Sequence, residues 1–129
     1  MATERPRRPT NAELAILRAL WRLGPSTVRQ VCELLAQTRP SGYTTVLKTL
    51  QIMTAKGLVT RDLRQRTHVY TARHTEGQMQ QRLVRDLLDR AFGGSPGRLV
   101  MQALSSRRAS LEELAEIRRL LDQLERKSP

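Results

Sequence analysis

Apolar residues recur at helical spacing in six stretches of the chain, with strand-like composition between the third and fourth. Thr10 and Glu13 form a capping box, so a helix is expected over about Asn11 to Leu23, with the stripe Leu14, Leu17, Leu20 and Trp21. Gly24-Pro25 stops it. Thr27 and Gln30 repeat the capping pattern and open a short helix with Val28, Val31, Leu34 and Leu35 on one face. Cys32 lies beside that face and reads as a small buried hydrophobe.

After the turn Arg39-Pro40-Ser41-Gly42, a third helix places Val46, Leu47, Leu50 and Met53 within about 120° of arc. The opposite face carries Thr44, Thr45, Lys48, Ile52 and Ala55. Gly57 ends that helix. Leu58-Val59-Thr60-Arg61 and Thr67-His68-Val69-Tyr70-Thr71 are rich in β-formers and flank the basic turn Asp62-Leu63-Arg64-Gln65-Arg66. The order helix, turn, helix, hairpin predicts a winged helix-turn-helix, in which the third helix enters a DNA groove and the hairpin grips beside it. Lys48 suits phosphate or guanine, and threonines offer a hydroxyl and a methyl to base edges. Arg64 and Arg66 at the turn are expected to reach phosphates or a minor groove.

Beyond the wing, Thr75 with Gln78 caps a helix to about Phe92, striped by Met79, Leu83, Leu87 and Leu88. Gly93-Gly94 breaks it, and Ser95-Pro96 starts another through Leu99, Val100, Ala103 and Leu104. Ser110 with Glu113 opens a last helix to about Arg126, where Leu114, Ile117, Leu121 and Leu124 repeat at 3-4-3 spacing. Three short helices of this kind bury too little surface to stand alone. They are expected to fold back on the front domain or to pack on a partner, and the commonest partner is an identical chain across a two-fold axis. The expected fold is therefore mainly α with a small β-wing. A basic arm at residues 1–9 precedes a winged-helix DNA-binding domain at 10–74 and a helical dimerisation region at 75–129.

Charge sharpens this picture. The 129 residues hold 23 Lys plus Arg against 12 Asp plus Glu, a net charge of +11 that favours an anionic polymer as partner. Residues 1–78 carry 13 basic and 5 acidic side chains, against 10 and 7 in residues 79–129, so the front of the chain is the nucleic-acid candidate. With Trp21, Tyr43, Tyr70 and Phe92 as the only aromatics, no base-stacking platform for single strands is expected. No apolar run approaches the ~18 residues of a membrane span, and the basic start lacks an apolar signal core, so membrane insertion is not expected and the cytoplasm is. A single cysteine suits that compartment. His68 and His74 have no cysteine or carboxylate cluster at metal spacing, Gly93-Gly94 lacks a following GK[ST], and no base, nucleophile or metal site stands out. Neither an enzyme nor a cofactor is expected. Two competing classes are a winged-helix adaptor for protein partners and, more weakly, a double-stranded RNA binder, whose A-form major groove does not admit a helix.

Several motifs taken together resemble the penicillinase-repressor family of small dimeric bacterial transcriptional repressors. They are Glu13-x-x-Ile16-Leu17-x-x-Leu20-Trp21, Tyr43-Thr44-Thr45-Val46, Lys56-Gly57-Leu58-Val59-x-Arg61, Tyr70, the Phe92-Gly93-Gly94 break and Glu113-Leu114-x-x-Ile117-x-x-Leu120. The resemblance runs from about Thr10 to Leu124. It implies a homodimer bound to a palindromic double-stranded DNA operator, with Tyr43, Thr44, Thr45 and Lys48 at the groove and Arg64, Arg66 and Thr67 on the wing. It implies dimerisation through the C-terminal helices, here Leu83, Leu87, Leu114, Ile117, Leu121 and Leu124. It also implies release by a membrane sensor metalloprotease of the β-lactam-sensor type. The cleaved Asn-Phe bond of some members aligns with Gln102-Ala103. The cysteine-rich tail of the copper-responsive branch is missing, and Ile52 stands where relatives often place a basic residue.

Overall fold

The computed structural model of the chain describes residues 8–64 and 66–128. Of the expected basic arm, residues 1–7 lie outside the described residues. Eight elements follow in order: α1 (Asn11–Leu23), α2 (Val28–Leu35), α3 (Tyr43–Lys56), β1 (Val59–Asp62), β2 (Val69–Ala72), α4 (Glu76–Ala91), α5 (Pro96–Ser106) and α6 (Leu111–Lys127). The architecture is mainly helical with one antiparallel hairpin, β1 pairing with β2 from Val59↔Ala72 to Asp62↔Val69.

Local signals set the helix ends. Thr10 accepts the Glu13 backbone N–H while Glu13 accepts that of Thr10, and Thr27 with Gln30, Thr75 with Gln78 and Ser110 with Glu113 repeat the exchange. Each such cap contributes about 1 kcal/mol. Gly57 ends α3 in the left-handed conformation at φ 82°, where its N–H reaches the last carbonyls of the helix. A Cβ there would also meet the Arg73 guanidinium at 3.4 Å. Gly93 and Gly94 both have positive φ, and the Gly94 N–H bonds the Leu88 carbonyl at 2.8 Å, closing α4.

The chain divides into two compact units, the first ending at Leu83 and the second beginning at Val84. This division falls inside α4, past the boundary expected between residues 74 and 75. The cause is packing: Met79 is buried in the core of the first unit, and Leu83 lies against it. That core joins Ile16, Leu17 and Leu20 of α1, Val28, Val31 and Leu35 of α2, Val46, Leu50 and Met53 of α3, Leu58, Val59 and Tyr70. Burying each such side chain stabilises by about 1.5–3 kcal/mol. On α1 the buried stripe is rotated from the expected one. Ile16 and Ala19 are buried, while Leu14 and Trp21 are half-buried beside Met79 and Leu83 in an open groove of about 460 Å³. The Trp21 indole N–H donates to the His74 carbonyl at 2.9 Å, tying α1 to the entry of α4.

Two long-range polar contacts complete the first unit. Ser26 and Tyr70 exchange backbone hydrogen bonds at 3.0 and 2.8 Å, so the residues before α2 add a single bridge to the edge of β2. Glu13, only 3% exposed, receives Lys56 Nζ at 2.8 and 3.0 Å, which fastens the start of α1 to the end of α3. Burial alone would raise the Glu13 pKa, but the Lys56 hydrogen bond, the Thr10 bonds and the Lys56 charge outweigh it and hold it below the ordinary value.

In the second unit, α5 and α6 bury no residue. Leu114, Ile117, Leu88 and Leu99 are partly covered, while Leu87, Val100, Met101, Leu111, Leu120, Leu121 and Leu124 are exposed.

Lys56→Met strands the Glu13 carboxylate and should cost about 2–3 kcal/mol, somewhat less than a fully buried break because Lys56 is 21% exposed; Glu13→Gln/Lys56→Met should recover part of it in urea melts. Because the folded-state Glu13 pKa is depressed, its contribution is complete above the ordinary glutamate range near ~4.3 and is lost as pH falls through the folded value. Glu13→Gln should therefore flatten the loss of stability in acid, as followed by melts from pH 7 to pH 3. Tyr70 is fully buried and its hydroxyl has no partner among the described residues. Tyr70→Phe should leave the melting temperature unchanged or raise stability by up to about 1 kcal/mol.

Candidate nucleic-acid interface

With Val46, Leu50 and Met53 turned into the core, α3 presents Tyr43, Thr44, Thr45, Lys48, Gln51, Ile52 and Ala55 to solvent. The Lys48 ammonium and the Thr44 and Thr45 hydroxyls have no partner among the described residues. Two other threonines of the helix are differently engaged: Thr49 donates to the Thr45 carbonyl and Thr54 to the Leu50 carbonyl, each at 2.8 Å. Tyr43 and Ile52 are 52% and 48% exposed, an apolar contribution suited to thymine methyls or sugar edges. Gly42 precedes α3 without a side-chain cap, in contrast to Thr10, Thr27 and Ser110 at other helices. The first N–H groups of α3 therefore remain available at the positive end of its dipole.

The hairpin supplies the second surface. Arg66, Thr67 and His68 are exposed, and so is Leu63. Arg64 differs from what its position in the sequence suggests. Its guanidinium pairs with Asp62, Nη2 lying 3.1 Å from Oδ2. Hydrogen bonds from Arg64 hold the Asp62 carboxyl below its ordinary pKa, and the same contact raises that of Arg64. Arg61 on β1, opposite Tyr70, is exposed as well, although strand alternation puts it on the same side as the inward Val59 and so gives no sign of it. Arg73 is exposed too, over the Gly57 cap.

The remaining candidates are placed as follows. Burial, with the charges of Arg82 and Arg73, pushes the His74 pKa down. No group of three or more His, Cys, Asp or Glu able to hold a metal occurs among the described residues. Burial and the neighbouring Glu33 raise the Cys32 thiol pKa, which leaves it a poor nucleophile. Gln102 and Ala103 are exposed within α5, and the Ser106 hydroxyl donates to the Gln102 carbonyl at 2.6 Å. Of the expected dimer residues, Leu83 packs on the first unit's core, whereas Leu87, Leu121 and Leu124 are 45%, 52% and 53% exposed. No helix among the described residues is long and apolar enough to cross a membrane.

The family model described as penicillinase repressor matches residues 9–123. Proteins named transcriptional regulator BlaI from two strains of Mycobacterium tuberculosis are each 35% identical over 114 residues, covering 88% of this chain and 82% of theirs. Among solved structures, the DNA-binding domain of the repressor BlaI superposes with a TM-score of 0.50 at 22% identity, covering 57% of this chain and 90% of that one, a likeness of fold.

Proposed function

The chain belongs to the penicillinase repressor family, and from that membership we propose that it represses transcription as a homodimer bound to a two-fold symmetric DNA operator in the cytoplasm. By kinship it is a transcriptional regulator with a winged-helix DNA-binding domain. The observation that carries this reading is the outer face of α3, where Lys48, Thr44 and Thr45 stand exposed, their side chains without a partner among the described residues, while Val46, Leu50 and Met53 opposite them are buried. A helix seated in this way delivers side chains to base edges in a major groove, and the hairpin reaches the backbone beside it.

Dimerisation answers the exposed leucines of the second unit. No residue of α5 or α6 is buried among the described residues, and Met101, Leu111, Leu120, Leu121 and Leu124 leave a large apolar area in water. A second copy is the natural cover. Two linked reading heads also raise operator affinity by roughly 10²–10⁴ over one, so whatever splits the dimer releases the promoter. Proteolysis by a membrane sensor metalloprotease at Gln102-Ala103 is the proposed trigger. That bond lies inside α5, so the helix must open before a protease binds it extended. With no buried side chain in α5, such opening costs little.

Lys48→Ala should weaken operator binding, by ~1–3 kcal/mol with relaxed preference at one position when a base contact is lost. Electrophoretic mobility shift against single-base operator variants reads both effects, and unchanged binding would remove Lys48 from the interface. Leu121→Asp should yield monomers in sedimentation equilibrium at tens of micromolar and abolish cooperative operator binding while leaving the first unit folded. Retained dimers would move the interface elsewhere.

A further inference from the structure

The hairpin carries two arginines near its tip, and the structure gives them different chemistry. Asp62, the last residue of β1, accepts the Arg64 backbone N–H at 2.9 Å and Nε–H at 3.1 Å on Oδ1, and Nη2–H at 3.1 Å on Oδ2. The carboxylate thus occupies the Nε/Nη2 edge of the guanidinium as a two-pronged fork, the geometry that favours arginine over lysine for such contacts. The pair stands in the open, with the Arg64 side chain 89% and the Asp62 side chain 33% exposed. Arg66 has no acidic partner among the described residues.

The fork changes what Arg64 offers to a nucleic acid. An approaching phosphate meets a pair with no net charge, so little counterion release follows, and one edge suited to a two-pronged phosphate grip is already taken. The outer edge is still free. The Nη1 hydrogens and the outer hydrogen of Nη2 remain donors, and the fork together with the Arg64 backbone bond restricts their direction. Directed donors with little net charge suit neutral acceptors at set positions, which in a duplex are the ring nitrogens and carbonyl oxygens of base edges. A free cation such as Arg66 follows the phosphates instead.

We infer that Asp62 is a positioning residue that converts Arg64 from a phosphate grip into a base-edge reader, leaving the wing's backbone attraction to Arg66. The ligand it selects is a pair of adjacent hydrogen-bond acceptors on the bases of the groove the wing enters. This rests on the DNA-binding reading above and adds which wing residue carries sequence preference.

The test uses the full chain, a duplex it enriches from a random library, and a scrambled duplex of the same composition, with anisotropy titrations from about 50 to 200 mM salt. Asp62→Ala/Arg64→Ala removes the pair without changing the net charge and should lower the preference for the enriched duplex roughly tenfold to a hundredfold with the salt slope unchanged. Arg66→Ala should make the slope shallower by about 0.9 and leave the preference intact. Asp62→Asn should tighten binding to the scrambled duplex, steepen the slope by about 0.9 and reduce the preference. Arg64→Lys keeps the charge beside Asp62 but not the fork and should lose the preference with the slope unchanged, which carries the test should the asparagine variant melt early. Asp62→Ala/Arg64→Ala with the preference retained would overturn the inference, as would Asp62→Asn and Arg64→Lys both binding like the unaltered chain. Failure of the unaltered chain to enrich any duplex is a separate result, which overturns the DNA-binding reading itself.

Discussion

The burial of Val46, Leu50 and Met53 against α1 and α2 is the constraint on which the rest of the molecule depends. A helix has one orientation in which that face is dry, and this orientation turns Thr44, Thr45, Lys48 and Ile52 outward as a set. The polar contacts at the helix end refine the placement. Lys56 reaches back to Glu13, whose other task is to cap α1, so one buried carboxylate serves two helices. The outer face of α3 is therefore held by the same contacts that hold the fold. A change at Glu13 or Lys56 acts on DNA binding through stability and through the pose of α3.

Charge is distributed by function within this frame. The half-buried lysine, Lys56, is paired, whereas the lysine on the outer face, Lys48, has no partner among the described residues. On the hairpin the same contrast recurs between Arg64 and Arg66. A net charge of +11 draws the chain toward any polyanion, and preference must come from donors whose direction is set by the protein. The second unit follows a different logic. It exposes apolar surface among nearly balanced charges, which suits association between chains more than with DNA.

What could be read from the sequence was local. The capping exchanges at Thr10, Thr27, Thr75 and Ser110 each span three residues, and all four stand in the structure. The third helix and its two faces follow from periodicity, and the hairpin follows from β-formers around a polar turn. What could not be read was set by tertiary approach. Glu13 and Lys56 are 43 residues apart, Trp21 and His74 are 53 apart, and no spacing rule joins them. Ser26 offers a single bridging residue, too short for a strand pattern. Leu83 carries the same stripe as Leu87, yet α4 leaves the first unit between them, so only packing separates their surroundings. The Asp62–Arg64 fork is close in sequence but depends on how the hairpin bends, which composition does not specify.

Selection of duplexes from a random library by the full chain, followed by sequencing, tests the central claim most directly. A pair of exposed α3 faces related by a two-fold axis predicts an enriched consensus that reads as an inverted repeat, its half-sites about one helical turn apart or a multiple of it. Enrichment of a single unpaired half-site, or of no sequence at all, would contradict the account.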